Sequence, residues 1–70
     1  MTDDISVGDV CVYPRVPDQP FIISRIYWDN EFFFDAIYKD GRVLEDGTLR
    51  LVEKIGEYYP IEQFLKGTFK

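Results

Sequence analysis

The stretch Pro20-Phe21-Ile22-Ile23-Ser24-Arg25-Ile26-Tyr27-Trp28-Asp29-Asn30-Glu31-Phe32-Phe33-Phe34-Asp35-Ala36-Ile37-Tyr38 decides the fold. Two arms rich in β-branched and aromatic residues flank a polar pair, which is the pattern of an antiparallel hairpin. Asp29 and Asn30 both tolerate positive φ, so they suit a two-residue turn. With that turn, Tyr27 faces Phe32, Arg25 faces Phe34, Ile23 faces Ala36 and Phe21 faces Tyr38. This face is apolar except for Arg25 and is the expected core face. The other face carries Ile22, Ser24, Ile26, Trp28, Glu31, Phe33, Asp35 and Ile37. It is too apolar for an ordinary solvent face, so either more of the chain covers it or it is a binding surface. A one-residue shift in the turn would exchange the partners and could reverse the faces.

On the N-terminal side, residues 1–6 read as a mobile lead. Val7-Gly8-Asp9 marks a turn before a first strand, Val10-Cys11-Val12-Tyr13. Pro14, Pro17 and Pro20 remove ladder donors and fix φ, so residues 14–20 form an ordered loop or sheet edge.

On the C-terminal side, Asp40-Gly41 and Asp46-Gly47 are both strong hairpin-turn signals. Between them lies a brief strand or extended loop, Arg42-Val43-Leu44-Glu45. After them, Thr48-Leu49-Arg50-Leu51-Val52-Glu53 alternates as a strand. If both turns are tight, Ile37, Leu44 and Leu49 share the mixed face of the hairpin, and the sheet curls onto itself. Lys54-Ile55-Gly56-Glu57 breaks the pattern. Pro60 to Gly67 then reads as one or two helical turns, with Pro60 at the start, Glu62 at the positive end and Gly67 as the stop. Ile61, Phe64 and Leu65 form one apolar stripe. So short a helix must dock to persist, as a lid on one end of the barrel or over the mixed face.

These elements resemble the SH3-like small barrels, including the Tudor and KOW-type modules. Val7-Gly8-Asp9-Val10-Cys11-Val12 is similar to the G-D-x-V-x-V first strand of such barrels. The resemblance spans residues 7–69. The A-L-Y-D-Y strand of signalling SH3 domains is absent. Where KOW modules have further glycines, this chain has prolines. The resemblance implies a mainly β fold: a small SH3-like barrel or rolled antiparallel sheet of about five strands with a short C-terminal helical turn. It also implies a habit of binding.

Composition bounds the chemistry. Seventy residues make one domain at most. One cysteine and no histidine exclude an internal disulfide and a Cys/His zinc site. The commonest general acid–base and any histidine-activated nucleophile are missing too. The carboxylates are explained by turns and solvation, so neither an enzyme nor a cofactor is expected. Stability must come from the apolar residues or from dimerisation, and monomer and homodimer both stay open.

The net charge of −5 argues against direct nucleic-acid or anionic-membrane binding and is compatible with a basic protein partner. No apolar run approaches ~20 residues. The acidic start lacks a signal pattern, and the lone Cys11 fits a reducing compartment. A cytoplasmic protein is expected.

Tyr13, Tyr27, Trp28, Phe33, Tyr38, Tyr58 and Tyr59 are too many aromatics for so small a core. Tudor-like barrels form aromatic cages for basic side chains. The resemblance therefore makes Trp28, Phe33, Tyr58 and Tyr59, beside Asp29 and Glu31, the candidate binding residues. The same residues could instead fill or rim the core, or form a general protein-binding patch. The expected function is a non-catalytic interaction module. The alternative is a small acidic inhibitor, of the kind found in phages and bacteria, that mimics nucleic acid toward a basic partner.

Overall fold

The computed structural model describes residues 5–57 and 60–65. Five antiparallel strands form one sheet: β1 (Val10–Val12), β2 (Phe21–Trp28), β3 (Phe32–Tyr38), β4 (Val43–Thr48) and β5 (Glu53–Gly56). A 3₁₀ turn, Leu49–Leu51, separates β4 from β5, and helix α1 (Ile61–Leu65) follows. The strand order is β4-β3-β2-β1-β5. β4 and β5 are the two edges and do not pair with each other, so the sheet is rolled and open, as the second form of the expected fold has it.

The turn before β1 forms as its residues predict. Gly8 has φ 100°, which a β-carbon would resist. Buried Asp9 accepts the Ser6 N–H at 2.8 Å and lies 3.5 Å from the Lys54 ammonium. Of the lead expected over residues 1–6, Ser6 is thus tied down and Ile5 packs against the core, while residues 1–4 lie outside the described residues.

The central hairpin forms, but its register changes half-way. Near its base Phe21↔Tyr38, Ile22↔Ile37 and Ile23↔Ala36 pair as the turn assignment predicts. Beyond a bulge at Ser24, Arg25↔Asp35, Ile26↔Phe34, Tyr27↔Phe33 and Trp28↔Phe32 pair instead. The turn therefore holds three residues, with Asn30 at φ 63°. The expected pairs Tyr27–Phe32 and Arg25–Phe34 are corrected by this one extra residue. Past the bulge, Ile26 and Trp28 move to the core-side face, while Arg25 and Tyr27 leave it.

Asp40-Gly41 makes the turn between β3 and β4, with Gly41 at φ 92° and its N–H bonded to the Tyr38 carbonyl at 2.9 Å. Asp46-Gly47 does not make a turn. It lies inside β4, where Glu45 and Asp46 together oppose Asp35 as a second bulge and Asp46 has φ 58°. As a result Leu44 pairs with Ala36 and packs, with Leu49, against the main core rather than sharing a face with Ile37. The strand expected over residues 48–53 is a 3₁₀ turn at its centre. The segment expected to break the pattern, residues 54–57, supplies most of β5, paired to β1.

Both faces carry apolar cover. The main core joins Cys11, Phe21, Ile23, Phe34, Ala36 and Val52, with Phe21 and Phe34 stacked at 5.5 Å. On the other face Phe64 of α1 is fully buried against Val10 and Ile22, with Ile37 at its margin. The helix thus docks over the base of the mixed face and leaves the tip half outside this second cluster.

Candidate functional site

Among the described residues, the hairpin tip carries the large aromatic rings that the core leaves most exposed. Trp28 is 64% exposed and Phe32 51%. They pair across the strands with ring centroids 4.9 Å apart, edge to face. This geometry suits the positive ring edge and negative ring face. The pair extends the core-side face beyond Ile26 and Phe34 to the end of the hairpin. Asp29 is exposed in the turn, and Glu31 at its end faces the Arg50 guanidinium at 3.4 Å.

The opposite face of the tip is a polar and aromatic network. Tyr27 stacks on half-buried Phe33 at 5.7 Å, and the Arg25 guanidinium lies 4.5 Å from the Tyr27 ring centroid. Arg25 donates to Asp35 at 2.9 Å. Asp35 also accepts the Asp46 N–H at 3.1 Å, and the Tyr27 hydroxyl donates to Asp46. One carboxylate therefore meets both bulges. The Asp46 N–H, followed by Arg25, holds the Asp35 carboxyl below the usual carboxylate range.

Tyr27 is pushed up to about 12, first by its hydrogen bond to Asp46 and then by desolvation and the neighbouring carboxylates, with Arg25 opposing. The neutral phenol is the form that folding favours. Its contribution is complete below pH 10 and lost as pH rises through about 12. In an ultraviolet difference titration we expect Tyr27 to ionise late, together with Tyr13, whose hydroxyl is also pushed up by burial. Tyr27→Phe should remove one tyrosine from that late component, and Asp46→Ala should bring Tyr27 back toward the ordinary range. An unchanged late component in Tyr27→Phe would refute the assignment.

The sequence-predicted candidates are therefore separated. Trp28 and Phe33 lie on opposite faces, because the Ser24 bulge inverts the outer half of β2. They do not form one cage wall in this register. Asp29 follows Trp28 and Glu31 precedes Phe32, both in the three-residue turn. Tyr58 and Tyr59 lie outside the described residues. Phe32, which pairing by a two-residue turn assigns to the core, is instead the exposed partner of Trp28. The signal for it was Arg25, the one charged residue on the expected core face.

A second candidate is a shallow, open depression between residues 18–20 and Tyr38, Lys39, Asp40 and Arg42. Arg42 caps the Tyr38 ring at 4.6 Å and donates to Asp40 at 2.7 Å, so its polar groups serve the turn. Among the described residues, no three His, Cys, Asp or Glu side chains group so as to hold a metal ion. No described helix is long and apolar enough to cross a membrane.

No protein-family model matches the chain, and neither a curated protein nor a solved structure matches it at a significant level.

Proposed function

We propose that this protein is a non-catalytic, cytoplasmic interaction module that engages a partner protein through the tip of its central hairpin. The contact surface is Trp28 and Phe32, bordered by Asp29 and Glu31. The observation that carries this reading is the exposure of the Trp28–Phe32 pair: two large rings held in a defined mutual geometry and left more than half exposed. Tryptophan is enriched among the few residues that dominate binding energy. The neighbouring carboxylates favour a partner with a basic rim.

The test is affinity capture from the native host, followed by quantitative binding of the captured partner to the wild type and to Trp28→Ala. We expect Trp28→Ala to weaken binding by about 30-fold or more, the effect of a hot spot of about 2 kcal/mol. Its folding stability should change by no more than about 1 kcal/mol, because the ring is largely in water. Unfolding of Trp28→Ala would make the tip a structural element and end the proposal. Retained affinity, combined with a steep loss on adding salt or on neutralising Asp29, Glu31 and Asp35, would select the acidic-mimic function instead.

A further inference from the structure

We propose that the Arg25–Asp35 pair, and not the turn, selects the register of the hairpin tip and so decides which aromatic side chains share a face. Two registers are open to the same arms. The pairs at the base, Phe21↔Tyr38 to Ile23↔Ala36, could run on unbroken to Arg25↔Phe34 and Tyr27↔Phe32, closed by a two-residue Asp29-Asn30 turn. The structure instead loops out Ser24 and closes through three residues.

The difference lies in where Arg25 goes. In the unbroken register its guanidinium would stand on the core face against Phe34, which is fully buried. The buried hydrophobic residues packed there are Cys11, Phe21, Ile23, Ala36 and Val52, and the buried carboxylate among the described residues, Asp9, is already engaged by the Ser6 N–H and Lys54. Placing an unpaired charge in such surroundings is strongly unfavourable. The bulge turns Arg25 to the other face, where Asp35 waits at 2.9 Å. Asp35 is itself fixed, since it receives the Asp46 N–H from the bulge in β4. Repulsion from one face and attraction to the other thus act on the same residue.

The consequence reaches the proposed binding surface. In the observed register Trp28 meets Phe32, and Phe33 meets Tyr27. In the unbroken register the outer half of β2 would invert. Trp28 would then join Phe33 on one face, and Tyr27 would meet Phe32. The register can be tested without any partner, so its failure leaves the binding proposal to be judged separately.

The experiment is nuclear Overhauser spectroscopy on the full chain carrying Arg25→Val together with Asp35→Ala. We expect the cross-strand contacts of Trp28 with Phe32 to be replaced by contacts of Tyr27 with Phe32. The same two substitutions in a chain lacking Ser24 should keep Trp28 against Phe32, because without the extra residue the observed outer pairing runs on from the base unbroken. Persistence of the Trp28–Phe32 contacts in the double variant with Ser24 present would overturn the inference. If that variant does not fold, the Ser24-deleted version decides. Folding with Trp28 on Phe32 shows that the pair is needed only to hold the bulged register. Failure to fold there too makes the pair a general requirement of the fold and overturns the inference.

Discussion

Phe64→Ala is expected to lower folding stability by about 3–5 kcal/mol, the usual cost of emptying a fully buried aromatic site. For a domain of this length the whole stability is about 4–10 kcal/mol, at roughly 0.05–0.15 kcal/mol per residue. The variant should therefore sit close to the unfolding threshold. Among the described residues, the second core contains Val10, Ile22 and Phe64 as its buried members, and of these Phe64 alone comes from outside the sheet. α1 spans five residues, too few to persist without docking. Removing its ring thus takes cover from Val10 and Ile22 and a buried anchor from the helix. Urea denaturation should show a lower midpoint, and amide exchange should show early loss of protection in α1. Phe64→Leu should cost distinctly less, because most of the apolar volume is kept. A loss below about 1 kcal/mol for Phe64→Ala, well under the range for such sites, would mean that the face is covered by something other than this ring.

What was legible in the sequence was whatever local pattern controls. The arms of the hairpin, the Asp40-Gly41 turn, a docked α1 with Phe64 buried and the cover on both faces follow from alternation, turn chemistry and helical spacing, whereas Leu65, placed in the same docking stripe, is exposed. What was hidden depends on contacts distant in sequence. The Ser24 bulge is set by Arg25 avoiding Phe34 and finding Asp35, ten positions away. Arg25 was visible as an anomaly on the expected core face, but the anomaly alone does not say how it is resolved. Asp46-Gly47 misleads because the same two residues suit a tight turn and a bulge with positive φ. β5 has little alternation of its own and exists because β1 offers it an edge. The candidate site inherits these limits. The types of its aromatic residues were readable, but the face each one occupies was not, since a single bulge exchanges the faces of Tyr27 and Trp28.

Gly47→Ala is the second large expected effect, and its sign is the informative part. At a permissive site this substitution stabilises by about 0.4–1 kcal/mol, because it restricts the unfolded chain. Here a β-carbon would stand 2.5 and 2.6 Å from two ring atoms of Phe34 and 3.0 Å from the Tyr13 hydroxyl. Phe34 is fully buried and stacked on Phe21, so its ring has no free direction in which to yield. Overpacking of this kind costs about 1–3 kcal/mol. We expect destabilisation in that range by chemical denaturation. The cause is separable by a double-mutant cycle. Phe34→Leu shortens the ring that meets the new methyl group, so the combined variant should lose less than the sum of the single losses, with a coupling of about 0.5–3 kcal/mol. Gly41→Ala provides the contrast. Nothing lies within 4 Å of its β-carbon, yet its φ is +92°, so its cost comes from the backbone alone. Phe34→Leu should leave that cost unchanged. Equal coupling at both glycines, or none at Gly47, would mean that the close approach of Phe34 to β4 is not what excludes a side chain at position 47. The bulge that ends in this glycine would then owe its place to the Asp46 contacts with Asp35 and Tyr27 rather than to the packing of the core beneath it.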